Sequence, residues 1–290
     1  MSATYRPRRS ALYMPASNAR ALEKARSLAC DVVILDLEDA VAPDAKETAR
    51  SAAAKAVWDG GYGNRELVIR VNRLDTPWGI DDVHAAAAAG PAAILLPKVE
   101  GPAEVEHLAL EMDKAGARPD VRIWCMIETP RGFLRIEDIA FAHNRLGCLV
   151  MGFADLVKDL RAEDTPDRAP LAYAMSRAVM TARAAGLDIL DGMYPDFRDI
   201  AGLEAQAVQA RQFGFDGKTL IHPGQIDTVN AVFAPSAEAV AHARAVVAAF
   251  TAARAAGKGV ATLDGVMVES LHAEVAQRLV DIADAIAARG

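Results

Sequence analysis

Two apolar runs in this chain each end on a carboxylate. Residues 123–127 lead into Glu128 in IWCMIETP, and residues 146–151 lead through Gly152 to Asp155 in LGCLVMGFADL. A carboxylate that follows a buried run cannot belong to the core the chain has just left, because burying it uncompensated is too costly. Two of them at successive strand ends make a site for a hard cation. Both offer oxygen only, and the six histidines show neither H-x-x-H nor H-E-x-x-H spacing, which points away from zinc. Mg²⁺ takes one or two carboxylates and fills its remaining positions with water or substrate, so it suits such a pair, and Mn²⁺ would accept the same ligands.

Short β-rich runs must position these acids. Eight of them, at 10–14, 32–37, 67–72, 93–97, 122–127, 148–151, 187–190 and 218–221, alternate with helical periodicity at 19–29, 45–58, 80–89, 103–115, 133–143, 171–185 and 200–213. Gly90, Gly116, Gly186 and Gly214 follow four of those helices, where the chain favours a left-handed stop. Strands that read as continuous apolar runs between helices form a parallel sheet covered on its outer face. Eight such units predict a (β/α)₈ TIM barrel with a C-terminal helical extension. The barrel is expected over 1–235. The extension, 236–290, holds a helix at 237–256, a break at Gly257-Lys258-Gly259, a hairpin at 261–268 and a last helix at 270–288. It either packs on a neighbouring subunit or folds over the barrel mouth.

In such barrels chemistry lies at the carboxyl ends of the strands. Read in order, those ends offer Asp36, Glu38 and Asp39, then Arg70 and Asn72, Lys98 and Glu100, and finally Glu128, Asp155, Asp191 and His222. Any one of these alone is better read as an ion pair or turn residue; their concentration at one rim is what marks a site. Arg70 carries a planar fork that matches a carboxylate, with an ion pair to Glu38 or Asp39 as its alternative. Lys98 reads as an ion-pair partner rather than a Schiff-base amine, His222 as an anchor for the turn near Gln225, and Asp36 as structural. Asp264, before Gly265, fits either a turn or a catalytic acid.

Composition excludes several classes. With 52% apolar and 24% charged residues, the chain of 290 is too hydrophobic to be disordered and long enough for a large core. A net charge of -7 argues against a nucleic-acid partner. Cys30, Cys125 and Cys148 lie singly in apolar segments and read as reduced core residues of a cytoplasmic protein. No export signal or membrane-length apolar run is visible.

Several motifs together resemble one family. The stretch KARSLACDVVILDLEDAVAPDAKETAR at 24–50, VIRVN at 68–72, LLPKVE at 95–100, IETP at 127–130, GFADL at 152–156, GKTLIHPGQI at 217–226 and LDGVMVES at 263–270 are similar to the citrate lyase β-subunit-like (CitE-like) branch of the HpcH/HpaI aldolase superfamily, which includes malyl-CoA and citramalyl-CoA lyases. The resemblance implies Glu128 and Asp155 as magnesium ligands and Arg70 as the arginine that grips the small acid. It implies Asp264 as a catalytic aspartate donated to a neighbouring subunit, Arg20 and Lys24 as coenzyme A phosphate contacts, and Glu38 and Asp39 as acids lining the metal's water shell. Where relatives carry P-G-N after the first strand, this chain has MPASNAR, with Ala16 at the glycine. The implied activity is Mg²⁺-dependent carbon-carbon lysis, or the reverse Claisen condensation, of a short carboxylated 3-hydroxyacyl-CoA such as malyl-, citramalyl- or citryl-CoA. Products would be an acyl-CoA and a 2-keto acid, in a homo-oligomer, trimer or hexamer. The alternatives are a malyl-CoA-type thioesterase and a subunit of an acyl-carrier-dependent lyase complex.

Overall fold

The computed structural model describes residues 5–289, so the ends of the two expected domains, residues 1–4 and 290, lie outside the described residues. Two compact units are present, 8–231 and 232–289 together with 5–7. In the larger unit eight parallel strands close into a barrel in sequence order: β1 (Ser10–Pro15), β2 (Val32–Asp36), β3 (Glu66–Arg70), β4 (Ala93–Leu96), β5 (Arg122–Ile127), β6 (Leu146–Met151), β7 (Asp188–Asp191) and β8 (Gly217–Leu220). The sheet closes where β1 pairs with β8, Ala11 opposite Thr219. Helices α1 (Ala19–Ala25), α2 (Lys46–Asp59), α3 (Gly79–Ala89), α4 (Pro102–Lys114), α5 (Pro130–Leu134), α6 (Ile136–Ala140), α7 (Phe153–Leu160), α8 (Ala172–Ala184) and α9 (Ile200–Phe213) fill the connections. This is the (β/α)₈ fold expected from the alternation.

Side chains alternate across a strand with a period of two, and that parity decides what the barrel contains. Its middle is apolar, with Ile34, Val68, Leu95, Trp124, Cys148, Val150 and Leu190 in one buried cluster. Two residues further along, the same inward parity reaches Asp36 and Arg70, and on β5 it passes Met126 to reach Glu128. In the other direction it reaches Glu66 and Asp188, which both pair with Arg8, whose guanidinium lies 5.0 Å from the Trp124 ring centroid. The barrel therefore has a polar floor, an apolar middle and a polar mouth. One irregularity matters: the β5–β6 register steps from Ile123↔Leu146 to Trp124↔Cys148 and leaves Gly147 as an extra residue. This bulge shifts the parity of β6, so that Gly152 and not Phe153 continues the inward row beside Glu128.

The structure departs from the expected elements in three places. The helix at 133–143 is two short helices, α5 and α6, separated at Arg135, whose φ of -118° is not helical. The helix at 19–29 stops at Ala25. Asp155 is not in a loop but in the first turn of α7, which forms because Phe153 and Leu156, three residues apart, are both buried. Ala16, at the family's glycine, is buried and donates its N–H to Asp36 O at 3.0 Å, and it is absent from the positive-φ residues, so no glycine is needed there.

The smaller unit follows α10 (Ile226–Phe233), which straddles the division. It is built from α11 (Ala237–Ala255), the antiparallel pair β9 (Ala261–Leu263) and β10 (Val266–Val268), and α12 (Ser270–Ala287). Ala243, Val246, Phe250, Val268 and Val280 form its own core. All three cysteines are buried and free. Among the described residues no helix is long and apolar enough to cross a membrane.

Asp191 and Asn72, both expected at the rim, are instead part of the packing outside the barrel. Asp191 is fully buried, binds Lys218 Nζ at 2.6 Å and takes Arg168 Nη1 on both oxygens, at 2.8 and 3.0 Å. One anion thus offsets two buried cations. Asp191→Ala would strand both, an effect worth about 3–5 kcal/mol. The expected outcome is a calorimetric melting midpoint lower by roughly 10 °C; a shift within the error of the scan would show that the triad carries no such stability.

Candidate active site

A cavity of about 340 Å³ opens at the carboxyl end of the barrel. Asp36, Asp39, Glu128 and Asp155 line it with Arg70, as do the apolar side chains of Met126, Met151, Phe153, Met193 and Ile221. Four residues expected in the site, Arg70, Glu128, Asp155 and Asp39, meet there, and Asp36 and Tyr13 join them.

Arg70 is 7% exposed and spends one edge of its guanidinium on Asp36, Nε to Oδ1 at 2.6 Å and Nη2 to Oδ2 at 2.7 Å. Its Nη1 lies 3.1 Å from Glu38 Oε2, and the plane stacks over Tyr13, Cζ 4.6 Å from the ring centroid. The expected alternative, an ion pair to Glu38 or Asp39, is met in part by Glu38, and the main partner is Asp36: it occupies the Nε/Nη2 edge, Tyr13 covers one face, and Nη1 also lies 3.8 Å from Met126 Sδ. Burial works against the charge, but Asp36 outweighs it and holds the Arg70 pKa well above its ordinary value. Asp36 is structural, as expected. It also accepts the Glu38 N–H at 2.9 Å and the Ala40 N–H at 3.2 Å, which shapes the loop after β2.

Glu128 is 1% exposed, and its Oε1 accepts the backbone N–H of Lys98 at 2.8 Å. Lys98 holds a left-handed φ of 52°, unusual for a lysine. Its ammonium binds Glu38 Oε1 and lies 3.6 Å from Asp39 Oδ1, the ion pair expected for it. These carboxylates raise the Lys98 pKa despite partial burial, whereas a Schiff-base amine needs a lowered one. A Cβ at Gly152 would overlap Glu128 Cβ and Oε2, so only glycine leaves the carboxylate its place. Burial, joined by the negative charge of Glu38, pushes the Glu128 pKa up to about 8 although Lys98 and Arg70 oppose it. Burial likewise raises Glu38, whose Oε2 has no hydrogen-bond partner. Asp39 is exposed, and Lys98 and Arg70 overcome its desolvation to hold it below the usual carboxylate range.

Behind the rim, Lys46 was not anticipated. Its buried ammonium donates to Leu37 O at 2.7 Å, Glu38 O at 2.8 Å and Asn72 Oδ1 at 2.8 Å, while Asn72 Nδ2 donates to Asp82 Oδ2 at 2.6 Å. Asn72 is therefore corrected from a site residue to a brace for the β2 loop. Nothing in the local sequence distinguishes Lys46 from any lysine at a helix start. Tyr13 was legible, because it continues the inward parity of Ala11.

Other expected residues of the larger unit are not among those that line the cavity. Arg20 and Lys24 are exposed, one turn apart on α1. Glu100 lies 3.8 Å from Arg131. His222 accepts the Gly224 N–H at 3.0 Å and stacks on Phe197, with Gln225 completing the turn, the anchoring role expected of it. Asp264 belongs to the smaller unit and forms a two-residue turn with Gly265, φ 51° and 78°, the left-handed pair that a tight hairpin requires.

The donor set fits a divalent cation. Burial raises the Glu128 pKa, so a nearby cation would favour its charged form, and Asp155 lines the same cavity. Among the described residues no group of three or more His, Cys, Asp or Glu is poised as a metal cage. A pair of oxygen donors, with water or substrate in the remaining positions, is a set that suits Mg²⁺.

Residues 9–223 match the family described as HpcH/HpaI aldolase/citrate lyase. A (3S)-malyl-CoA thioesterase of Cereibacter sphaeroides is 46% identical over 282 residues, 97% of this chain and 96% of the relative. The citrate lyase subunit beta of Escherichia coli is 38% identical over 269 residues, 91% and 89% of the two chains. The crystal structure of CitE from Mycobacterium tuberculosis in complex with magnesium, acetoacetate and coenzyme A superposes with a TM-score of 0.77 at 32% identity, covering 95% of this chain and 98% of that one.

The raised Glu128 pKa has a consequence for the metal-free protein. A carboxyl whose folded pKa lies above its unfolded value of about 4.3 contributes stability below that value and loses it as pH rises toward the folded pKa. Between about pH 4.5 and 8, the metal-free wild type should lose stability relative to Glu128→Gln, read as the difference in urea midpoints. Parallel pH profiles for the two proteins would show that Glu128 is not desolvated as described.

Proposed function

The chain belongs to the HpcH/HpaI aldolase/citrate lyase family, and from that premise we propose that it is a Mg²⁺-dependent carbon-carbon lyase acting on a short carboxylated 3-hydroxyacyl-CoA thioester. The observation that carries the reading is the convergence of Glu128, Asp155 and Arg70 on one cavity at the carboxyl end of the barrel. Glu128 and Asp155 would hold the cation, which when bound polarises the hydroxyl and carboxylate oxygens of the hydroxy acid and stabilises negative charge there. The family relative crystallised with magnesium, acetoacetate and coenzyme A supports both the ion and the ligand class.

In cleavage, the hydroxyl loses its proton and its oxygen becomes the carbonyl of the 2-keto acid. The electron pair of the bond between the second and third carbons passes to the thioester fragment as an enolate, which then takes up a proton. Arg70 contributes its remaining N–H edge to the acid's oxygens, and Asp36 fixes the plane of that edge. Lys98, through its N–H, holds one oxygen of Glu128 in place. Asp264, at its hairpin tip, is proposed as the proton donor to the enolate in a neighbouring copy, as the acid-base step needs. Arg20 and Lys24, exposed on α1, are proposed contacts for coenzyme A phosphates, and Glu38 and Asp39 for the cation's water shell. The assembly is proposed to be a homo-oligomer.

Thioester hydrolysis is the second reading, favoured by the name carried by the relatives at 46% identity. Products separate the two. With Mg²⁺ and malyl-, citramalyl- or citryl-CoA, the lyase releases a 2-keto acid and no free thiol, whereas the hydrolase releases free coenzyme A and no keto acid. Full turnover in excess chelator would refute metal dependence for either.

A donated Asp264 makes a further expectation. Glu128→Gln and Asp264→Asn chains should each lose on the order of 100-fold or more in turnover, yet regain part of it when mixed and reassembled. Arg70→Ala is unsuitable as a partner because it would orphan buried Asp36. No recovery in verified mixed oligomers would remove Asp264 from the mechanism.

A further inference from the structure

Two hydrogen-bond donors at the mouth of the barrel share one poor acceptor. The phenolic O–H of Tyr13, on β1, donates to Met126 Sδ at 3.8 Å, and Nη1 of Arg70, on β3, donates to the same sulfur at 3.8 Å. A thioether accepts weakly, so neither donor is satisfied by it as an oxygen would satisfy it. Nη1 also lies 3.1 Å from Glu38 Oε2, but that oxygen takes no hydrogen bond, so the ion pair does not use up the N–H. Among the described residues the Tyr13 hydroxyl has no other hydrogen-bond partner.

The arrangement is held from behind. Asp36 fixes Nε and Nη2 of Arg70, and the guanidinium lies over the Tyr13 ring, which sets the two donors beside each other. Tyr13, Arg70 and Met126 all line the cavity that also holds Glu128 and Asp155. Burial keeps the Tyr13 pKa far above its ordinary value although Arg70 opposes it, so the phenol retains its proton and remains a donor. Met126 has an unbranched, flexible side chain that can yield its place to an arriving oxygen.

We infer that Tyr13 is a substrate-binding residue, whose O–H joins the Nη1 N–H of Arg70 in taking one anionic oxygen of the bound 2-keto acid in place of the Met126 sulfur. The inference rests on the proposed reading of the cavity and adds a residue to it. A hydrogen bond to a charged oxygen in a desolvated site is stronger than one between neutral groups, so the hydroxyl contributes to affinity as well as to orientation.

Tyr13→Phe tests this, because it keeps the ring beneath Arg70 and removes only the hydroxyl. Calorimetric binding of pyruvate and glyoxylate with Mg²⁺, and kcat/KM for malyl- and citramalyl-CoA, are measured on the full-length wild type and variant. Keto-acid affinity should fall about tenfold or more, and kcat/KM by at least as much. The melting midpoint should not move, since the sulfur is the hydroxyl's sole partner in the fold. Wild-type affinities and turnover in Tyr13→Phe overturn the inference and leave the proposed function standing. A lower melting midpoint in the variant overturns it too, by showing that the hydroxyl serves the fold. A wild type that neither binds the keto acids nor turns over the esters overturns the proposed function itself, and the inference with it.

Discussion

Carboxylates at the mouth of a closed barrel lose water that only nearby cations can replace. Each acid at this rim meets that constraint differently. Asp36 is satisfied by Arg70, Glu38 by Lys98 and partly by Arg70, and Asp39 by solvent and the same two cations. Glu128 alone receives only a backbone N–H and has its pKa pushed far up. The ordering of the mouth follows from this shortage: the permanent cations are consumed by the acids that shape the loop after β2, and the acid left underserved is the one facing the open cavity. A dissociable divalent ion is the natural complement to that deficit.

The same residues brace the loop after β2 and the place of Glu128. Lys46 and Asn72 hold the Leu37 and Glu38 carbonyls, Asp36 holds the N–H groups of Glu38 and Ala40, and Gly152 leaves room for Glu128. Lys98 takes up a backbone conformation that costs of order 1 kcal/mol or more for a non-glycine residue, and in it one residue directs an N–H at Glu128 and an ammonium at Glu38. Ion clusters away from the mouth have other tasks. Arg8 with Glu66 and Asp188 closes the floor, and Asp191 with Lys218 and Arg168 ties β7 and β8 to the surrounding segments. Charged residues at strand ends are therefore not one population: Arg70 and Glu128 line the cavity, Glu66 and Asp188 close the floor, and Asp191 is tied to Lys218 and Arg168.

That distinction separates what could be read beforehand from what could not. The barrel was legible because apolar runs and helical segments alternate eight times, and Glu128 and Arg70 because each ends such a run. Asp191 ends a run as well, but points outward to Lys218. The parity of β6 depends on a bulge at Gly147, which no pattern of types reveals, since one extra residue is invisible until the partner strand is aligned with it. Asp155 follows the apolar run of β6, but no helix is expected there, because α7 owes its existence to the burial of Phe153 and Leu156. Arg70's partner was sought at Glu38 or Asp39, the acids outside the strand. The principal one is Asp36, its directly registered neighbour on β2.

The sequence by itself determined the β/α alternation, the family and which acids and arginine lie at the strand ends, because these depend on residue type and local order along the chain. Only the tertiary structure decided which of those charges are spent on one another. Pairing between Arg70 and Asp36, 34 residues apart, or Lys98 and Glu38, 60 apart, is set by strand register and closure of the sheet. What remains unpaired once the barrel closes, one desolvated carboxylate beside an apolar wall, is a property of that closure and of no single segment.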